Sequence, residues 1–340
     1  MIIGLMVIFL LVLLLPLTLR IVEKNLELFL FTMGLLAATI SGGMNGALFI
    51  KGAMDPIKIT VAVFVAGLLF KWLHVPLEKL IRGVCRIVPF RAFMALSVIL
   101  LGLISSLITA IIAALVLVQI FTVLRLERKY EIRLVVLACY SIGLGAALTP
   151  IGEPLSTIAI SKLGEDFFFL INLIGFEVLT ALLVLRFLAA ILVKTPKMGE
   201  VVYSRDGNTE GYEEILNRAL KIYFFVMGLT FLGAGFQPLI HLFFLDLDPG
   251  FLYWINMISA ILDNATLAAA EISPVMDHFT IRAILLGLLI SGGMLIPGNI
   301  PNIIAAGKLK ITSKEWARFG LPLGMVLMLI YFILLFCINA

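Results

Sequence analysis

The sequence predicts an all-α polytopic membrane protein made of two inverted repeats, and three observations lead there. Apolar runs of about 20 residues recur along the 340-residue chain, long enough to cross a bilayer core of about 30 Å. Charged residues make up 14% of the chain, against about 25% in soluble domains, and the mean hydropathy is +1.16. The charge that remains is sorted by side, as described below. Because the apolar runs are continuous and do not alternate, a transmembrane barrel is excluded.

Taken in order, the predicted spans are 2–19, 28–44, 57–75, 92–123, 134–161, 167–193, 219–236, 251–274, 279–307 and 317–338. Residues 2–19 lack a basic leader and a small-residue cleavage pattern, so they read as a retained first helix. Cys85, Cys139 and Cys337 are scattered and match no metal or redox spacing. Segments 92–123 and 251–274 carry polar residues at their centres, Ser105, Ser106 and Thr109 in one and Asp263, Asn264 and Thr266 in the other. Each reads either as one crossing or as a hairpin that enters the membrane and returns.

The basic residues decide between these. With both segments as hairpins, loops 71–91, 124–133, 194–221 and 308–318 share one face with Arg20 and Lys24, and that face holds 20 of the 25 Lys and Arg. The other face holds only Lys51, Lys58, Lys162 and Arg282, while Arg186 snorkels from a helix end. Basic loops are cytoplasmic, so the first hairpin opens inward, the second opens outward, and both termini are external at the plasma membrane. The organisation that follows is scaffold helices in 1–56, a first repeat in 57–193, a cytoplasmic loop in 194–221 and a second repeat in 222–340. Turns are expected at Val75-Pro76-Leu77 and Gln237-Pro238-Leu239, and Gly152-Glu153 aligns with Gly298-Asn299. Each repeat crosses three times, an odd number, which inverts one against the other. Inverted repeats with discontinuous helices place a site near the midplane.

The broken helices, 134–161 and 279–307, contain Thr149-Pro150-Ile151-Gly152-Glu153-Pro154 and Ile296-Pro297-Gly298-Asn299-Ile300-Pro301-Asn302. Proline removes backbone donors and glycine permits the bend, so carbonyls are freed there for a bound cation or a neighbouring side chain. Asp263 and Asn264 would cap an ordinary helix in a soluble protein, whereas at membrane depth such a group marks a pathway or a site. Glu177, Asn172 and Asn256 read as hydrogen-bonders between helices. Glu271 fits either the site or a cap on the hairpin's outer end. His74, His241 and His278 sit at membrane edges, Phe167-Phe168-Phe169 in the interfacial belt, and Gly42-Gly43 and Gly292-Gly293 at close helix contacts.

On the two breaks and the tip Leu262-Asp263-Asn264-Ala265-Thr266, the chain resembles the ion-transporter superfamily. That group includes NhaD-type sodium/proton antiporters, arsenite-efflux permeases and sodium-coupled dicarboxylate carriers, and a branch labelled cation transporters is especially similar. The resemblance implies hairpin tips that meet broken helices, elevator-like movement of that unit, and a homodimer formed by a separate scaffold. Dicarboxylate carriers have a Ser-Asn-Thr tip in each hairpin, whereas the first tip here, Ser105 to Thr109, has no Asn.

The expected function is therefore cation/proton antiport, sodium for proton, with protons, a small monovalent cation and the lipid bilayer as partners. No cofactor and no nucleic acid are expected. Asp263 and Glu153 would alternate between ion and proton. Asn264, Thr266, Asn299, Thr109, Ser105, Thr149, Gly152, Gly298 and Asn302 supply the remaining ligands, with Asp263, Asn264 and Glu153 on the transported metal ion. The alternative is a sodium-coupled or uniport carrier of a small carboxylate or an oxyanion such as arsenite. No HExxH or Gly-x-Gly-Asp pattern occurs, so an intramembrane enzyme is not expected.

Overall fold

The computed structural model describes residues 1–19, 21–22, 25–124, 126–192, 211–244, 248–262, 264–274 and 276–338; the elements among them are helices, with no strand. Helix α1 (Ile2–Thr18), α2 (Leu26–Ile40) and α3 (Gly46–Ile87) come first. Next are α4 (Phe90–Ile108), α5 (Ala110–Val123), α6 (Arg128–Ala146), α7 (Pro154–Leu163) and α8 (Phe169–Leu192). The second half holds α9 (Tyr212–Phe244), α10 (Pro249–Ile255), a 3-10 turn (Asn256–Ala260) and α11 (Asn264–Glu271). It ends with α12 (His278–Gly292), a short 3-10 turn (Ile296–Gly298), α13 (Ile300–Leu309) and α14 (Ser313–Ile333), which a π turn (Leu334–Ile338) extends.

Local chemistry sets many of these ends. Asp248 accepts from Gly250 N at 2.8 Å ahead of Pro249, and Asp277 accepts from Thr280 N at 2.9 Å, capping α10 and α12. Thr312 and Glu315 form a reciprocal capping box at α14. Pro154 starts α7, where its missing N–H costs nothing. Helices α7 and α13 each end in a left-handed residue, Gly164 (φ 71°) and Lys310 (φ 53°).

Two predicted turns are not turns. Helix α3 continues through Pro76 to Ile87, and α9 continues through Pro238 to Phe244. A proline deletes one donor and bends the axis, but in apolar surroundings the flanking backbone has no better partner than its own helix. The predicted loop 194–221 is also too long, because α9 begins at Tyr212 with Glu213 and Glu214 in a first turn that favours acids.

Burial is inverted relative to a water-soluble protein. Phe176 is 82% and Phe187 66% exposed on the outer face of α8, whereas Ser105, Ser141, Asn256, Ser291 and Asn302 are fully buried. Phe90–Ile108, Phe169–Leu192, Tyr212–Leu239 and Ser313–Cys337 are each long and apolar enough to cross a bilayer. These features make the chain a helical membrane protein. In contrast α5, α7, α11 and α13 have 14, 10, 8 and 10 residues. At 1.5 Å per residue they reach about 12–21 Å, too short to cross alone.

Two packing groups can be told apart. Helices α2 and α3 each pack on α9, α2 at glycines; a Cβ on Gly34 would lie 2.5 Å from Gly228 O, and one on Gly235 2.5 Å from Ala37 C. Helices α4 to α8 and α10 to α14 form the larger body, with α4 on α6, α10 on α12, α5 on α13 and α7 on α11. Between α1 and α9 on one side and the Ile255–Ile261 stretch on the other lies an apolar cavity of about 530 Å³.

Candidate functional site

The site begins where α6 and α12 stop. A helix end leaves carbonyls without intrahelical donors, and at membrane depth no water replaces them. After α6, Ser156 Oγ donates to Ala147 O at 3.1 Å and Thr157 Oγ1 to Pro150 O at 2.6 Å. After α12, Asn302 Nδ2 donates to both Gly292 O (2.8 Å) and Leu295 O (2.9 Å). Glycine is required at both bends: a Cβ on Gly152 would meet the Ala146 carbonyl, and one on Gly298 would lie 2.5 Å from Gly292 O.

The two breaks match position for position, 146 residues apart. Glu153 and Asn299 precede the second half-helices with nearly the same extended backbone, φ −152° and −153°. Ser156 answers to Asn302, Gly152 to Gly298, and the left-handed Gly164 to Lys310. Glu153 is 5% and Asn299 6% exposed.

Each break is met by a polar turn. Between α4 and α5 the chain reverses at Thr109, whose φ of 81° and ψ of 148° are strained for a β-branched residue. The strain is held by contacts. Ala110 N donates to Gly152 O at 2.9 Å, Thr149 Oγ1 to Ser106 O, and Thr109 Oγ1 accepts from Ile112 N. Below the tip, Ser105 Oγ donates to Ile142 O at 2.9 Å. On the other side Ser259 Oγ donates to Leu288 O at 3.2 Å, and 142 and 288 are again 146 apart. Leu262 and Asn264 are buried at this second turn, with Asn264 Nδ2 and Ser259 Oγ beside Gly292.

The two breaks also touch each other's helices. Asn299 Nδ2 lies 2.6 Å from where a Gly143 Cβ would be, so the second break leans on α6. The Tyr140 ring packs on Gly293 and its hydroxyl donates to Gly320 O at 2.9 Å, while Cys139 Sγ donates to Pro301 O at 3.6 Å.

Of the residues predicted for the site, Glu153, Gly152, Thr149, Ser105, Thr109, Asn264, Asn299, Gly298 and Asn302 all lie at the breaks or turns. Asp263 and the Thr266 side chain lie outside the described residues. Ser105 and Thr149 spend their protons on carbonyls and act as ties between turn and helix. Asn302 Oδ1 and Asn264 Nδ2 have no hydrogen-bond partner among the described residues. Glu177 lies 3.6 Å from Arg282, and Tyr331 OH donates to Glu177 O at 2.6 Å, an interhelix tie as expected.

Ser156, Ser259 and Ser291 were not singled out by the sequence reasoning. Extending the break alignment by three residues pairs Ser156 with Asn302 and would have found the first. A second missed feature is the Arg128 clamp at the start of α6. Its guanidinium donates to both Glu315 oxygens (3.0 and 2.8 Å) and to the carbonyls of Leu309 (2.9 Å) and Lys310 (2.6 Å). That bond to Arg128 holds the Glu315 carboxyl down at about 2. Glu131, 3.1 Å from Arg128, is shifted the other way by burial. No curated protein matches this sequence. The model of the family described as "Protein of unknown function (DUF1646)" matches residues 2–338, nearly the whole length, and the chain belongs to that family.

Proposed function

We propose that this protein is a secondary transporter exchanging a small cation, sodium in the first instance, for protons. The observation that carries the reading is the pair of matched helix breaks, each preceded by a buried acid or amide and each engaged by a polar turn. Matched breaks related by an inverted repeat are a transporter arrangement. Constant 146-residue spacing across five features supports two repeats of one design. Helices α5 and α11 are too short to cross, which supports turns that re-enter the membrane. Helix α4, at 19 residues, could cross on length alone. Its end is nevertheless tied to α6 and the α6–α7 break through Ser105 on Ile142 and Ala110 on Gly152, which supports a turn that stops there.

The choice of a cation rests on what occupies the half-helix N-termini. Such ends attract anions. Here Glu153 occupies the N-cap of α7, and Asp263 directly precedes α11 in the chain. A carboxylate of the protein itself thus stands at the start of α7 and another precedes α11 in sequence, which favours a cation over an anion as the transported ion. Asn302, held by its amide on two carbonyls, offers Oδ1 as a further oxygen ligand.

Exchange then follows from two acids sharing a low-dielectric site. Both cannot ionise cheaply, so the empty site holds a proton. A cation relieves the repulsion and displaces the proton; a returning proton expels the cation. Strict exchange requires only that the empty, singly charged carrier reorient slowly. The movement would be an elevator step of the larger body against α1, α2, α3 and α9, and the apolar cavity along α1 and α9, where few side chains interlock, supports a sliding seam there. The same scaffold would form the homodimer. The basic loops favour external termini, and the plasma membrane is the location this reading assigns.

Purified protein in liposomes with a trapped pH dye tests this. Addition of sodium should move protons, Asp263→Asn should abolish the signal in a folded protein, and Glu153→Gln should abolish it or change its pH dependence. Wild-type exchange rates in both variants, or proton movement with small carboxylates and none with cations, would overturn the reading.

A further inference from the structure

The breaks do not use one buried acid. Glu271, the last residue of α11, is 5% exposed, and neither of its oxygens has a hydrogen-bond partner among the described residues. Its polar neighbour is Asn256, the first residue of the 3-10 turn, which is fully buried. The Asn256 amide nitrogen makes one long bond, 3.5 Å to Ile284 O, and its Oδ1 has no partner among the described residues. Three buried oxygens, two on Glu271 and one on Asn256, are thus left without a partner among the described residues. Nothing apolar is gained by placing a carboxyl there, and an unpaired charge so placed is expensive.

The charged groups on the packed elements do not neutralise it. On α7, Lys162 Nζ donates to the Ile272 carbonyl at 3.0 Å, one residue further along. On α12, Arg282 is drawn to Glu177 on α8 at 3.6 Å. Helix α9 carries no Asp, Glu, His, Lys or Arg between Lys221 and His241. No ion pair to Glu271 occurs among the described residues. A carboxyl in such a setting, beside the Asn256 amide, rests as the neutral acid.

Position gives this group a use. Asn256 lies seven residues before Asp263 and Glu271 eight after it, on the two arms leading away from the turn. At 1.5 Å per helical residue, Glu271 stands about 12 Å along its arm from the tip. We infer that Glu271 and Asn256 form a second, proton-binding site, separate from the breaks, on the route between the ion site and the outer face. Its role in transport rests on the exchange reading above; its occupancy by a proton does not.

Infrared difference spectroscopy on the wild-type protein in lipid measures that occupancy. A protonated-acid carbonyl band that shifts in heavy water and titrates away as the medium is made alkaline is expected. It should be missing in Glu271→Gln and shifted in Asn256→Ala, each checked for monodisperse elution and helical circular dichroism. The same liposomes then give exchange, which Glu271→Gln should lose. An unchanged acid band in Glu271→Gln would overturn the site, and wild-type exchange in that variant would overturn its role. Should neither variant fold, a wild-type protein with no titrating acid band would overturn the site by itself. A titrating Glu271 band in a wild-type protein that exchanges no cation for protons would uphold the site and sink the antiport reading alone.

Discussion

Gly298 is where the second turn rests on the second break, and a methyl group added there tests that contact directly. The Cβ of Gly298→Ala would lie 2.5 Å from Gly292 O and 2.7 Å from Ser259 O, both backbone atoms that cannot rotate away. Ordinary contact begins at 3.4 Å, so the two carbonyls must retreat by about 0.9 and about 0.7 Å. Overpacking of this kind costs about 1–3 kcal/mol. Gly307→Ala, nine residues on in α13, is the control, since nothing lies within 4 Å of its added carbon. There the alanine should stabilise the helix by about 0.5–1 kcal/mol. The two variants should therefore differ by about 1.5–4 kcal/mol, tenfold or more in an equilibrium constant. Thermal unfolding in detergent, followed by tryptophan fluorescence, should place Gly298→Ala below the wild type and Gly307→Ala level with it or above. If Gly298→Ala proved as stable as Gly307→Ala, the close approach of turn and break would be wrong.

Other expectations follow from the same geometry. Asn302→Ala strips donors from two buried carbonyls and should cost about 2–4 kcal/mol, against about 1 kcal/mol for Ser156→Ala, which strips one; thermal shifts and the sodium concentration for half-maximal exchange should rank the two in that order. Arg128→Ala removes the clamp between α6 and the α13–α14 turn and should cost about 1–2 kcal/mol, discounted because its side chain is 41% exposed. Because Arg128 holds Glu315 at about 2, below its usual 4.5, the pair stabilises the fold above that usual value and loses effect as pH falls from about 4.5 towards about 2. Acid unfolding should accordingly begin at higher pH in Arg128→Ala, and an unshifted acid midpoint would count against the clamp. Single cysteines within 126–133 should be labelled only from the cytoplasm and those within 276–281 only from outside; external labelling of 126–133 would end the re-entrant reading.

How much of this was legible beforehand differs between the breaks and the turns. Proline and glycine act locally, and Pro150-Ile151-Gly152 and Pro297-Gly298 interrupt their helices where the residue types say they should. At Pro76 and Pro238 the same residue type misleads, because a single missing donor bends a helix and does not end it, as at Pro322 even with glycine nearby, whereas each break carries two prolines four residues apart. The turns were harder for a reason of register. The breaks repeat at 146 residues, but Ser105 and Ser259, which make equivalent bonds to Ile142 and Leu288, are 154 apart. Helix α5 is six residues longer than α11, so an alignment that superposes the breaks misplaces the turns. The long-range partners were not legible at all. Arg128 and Glu315 are 187 residues apart, and nothing in either local sequence distinguishes them from other loop charges. The same limit separates structural from functional polar groups. Ser105, Thr149 and Asn302 look alike as polar residues at membrane depth, and each ties its donor to a backbone carbonyl: the two hydroxyls one way, Asn302 to two carbonyls with Oδ1 left over. A hydroxyl that has given its proton to a carbonyl still has lone pairs for a cation, so what separates ligand from tie is which oxygens point into a common space, and that is a property of geometry.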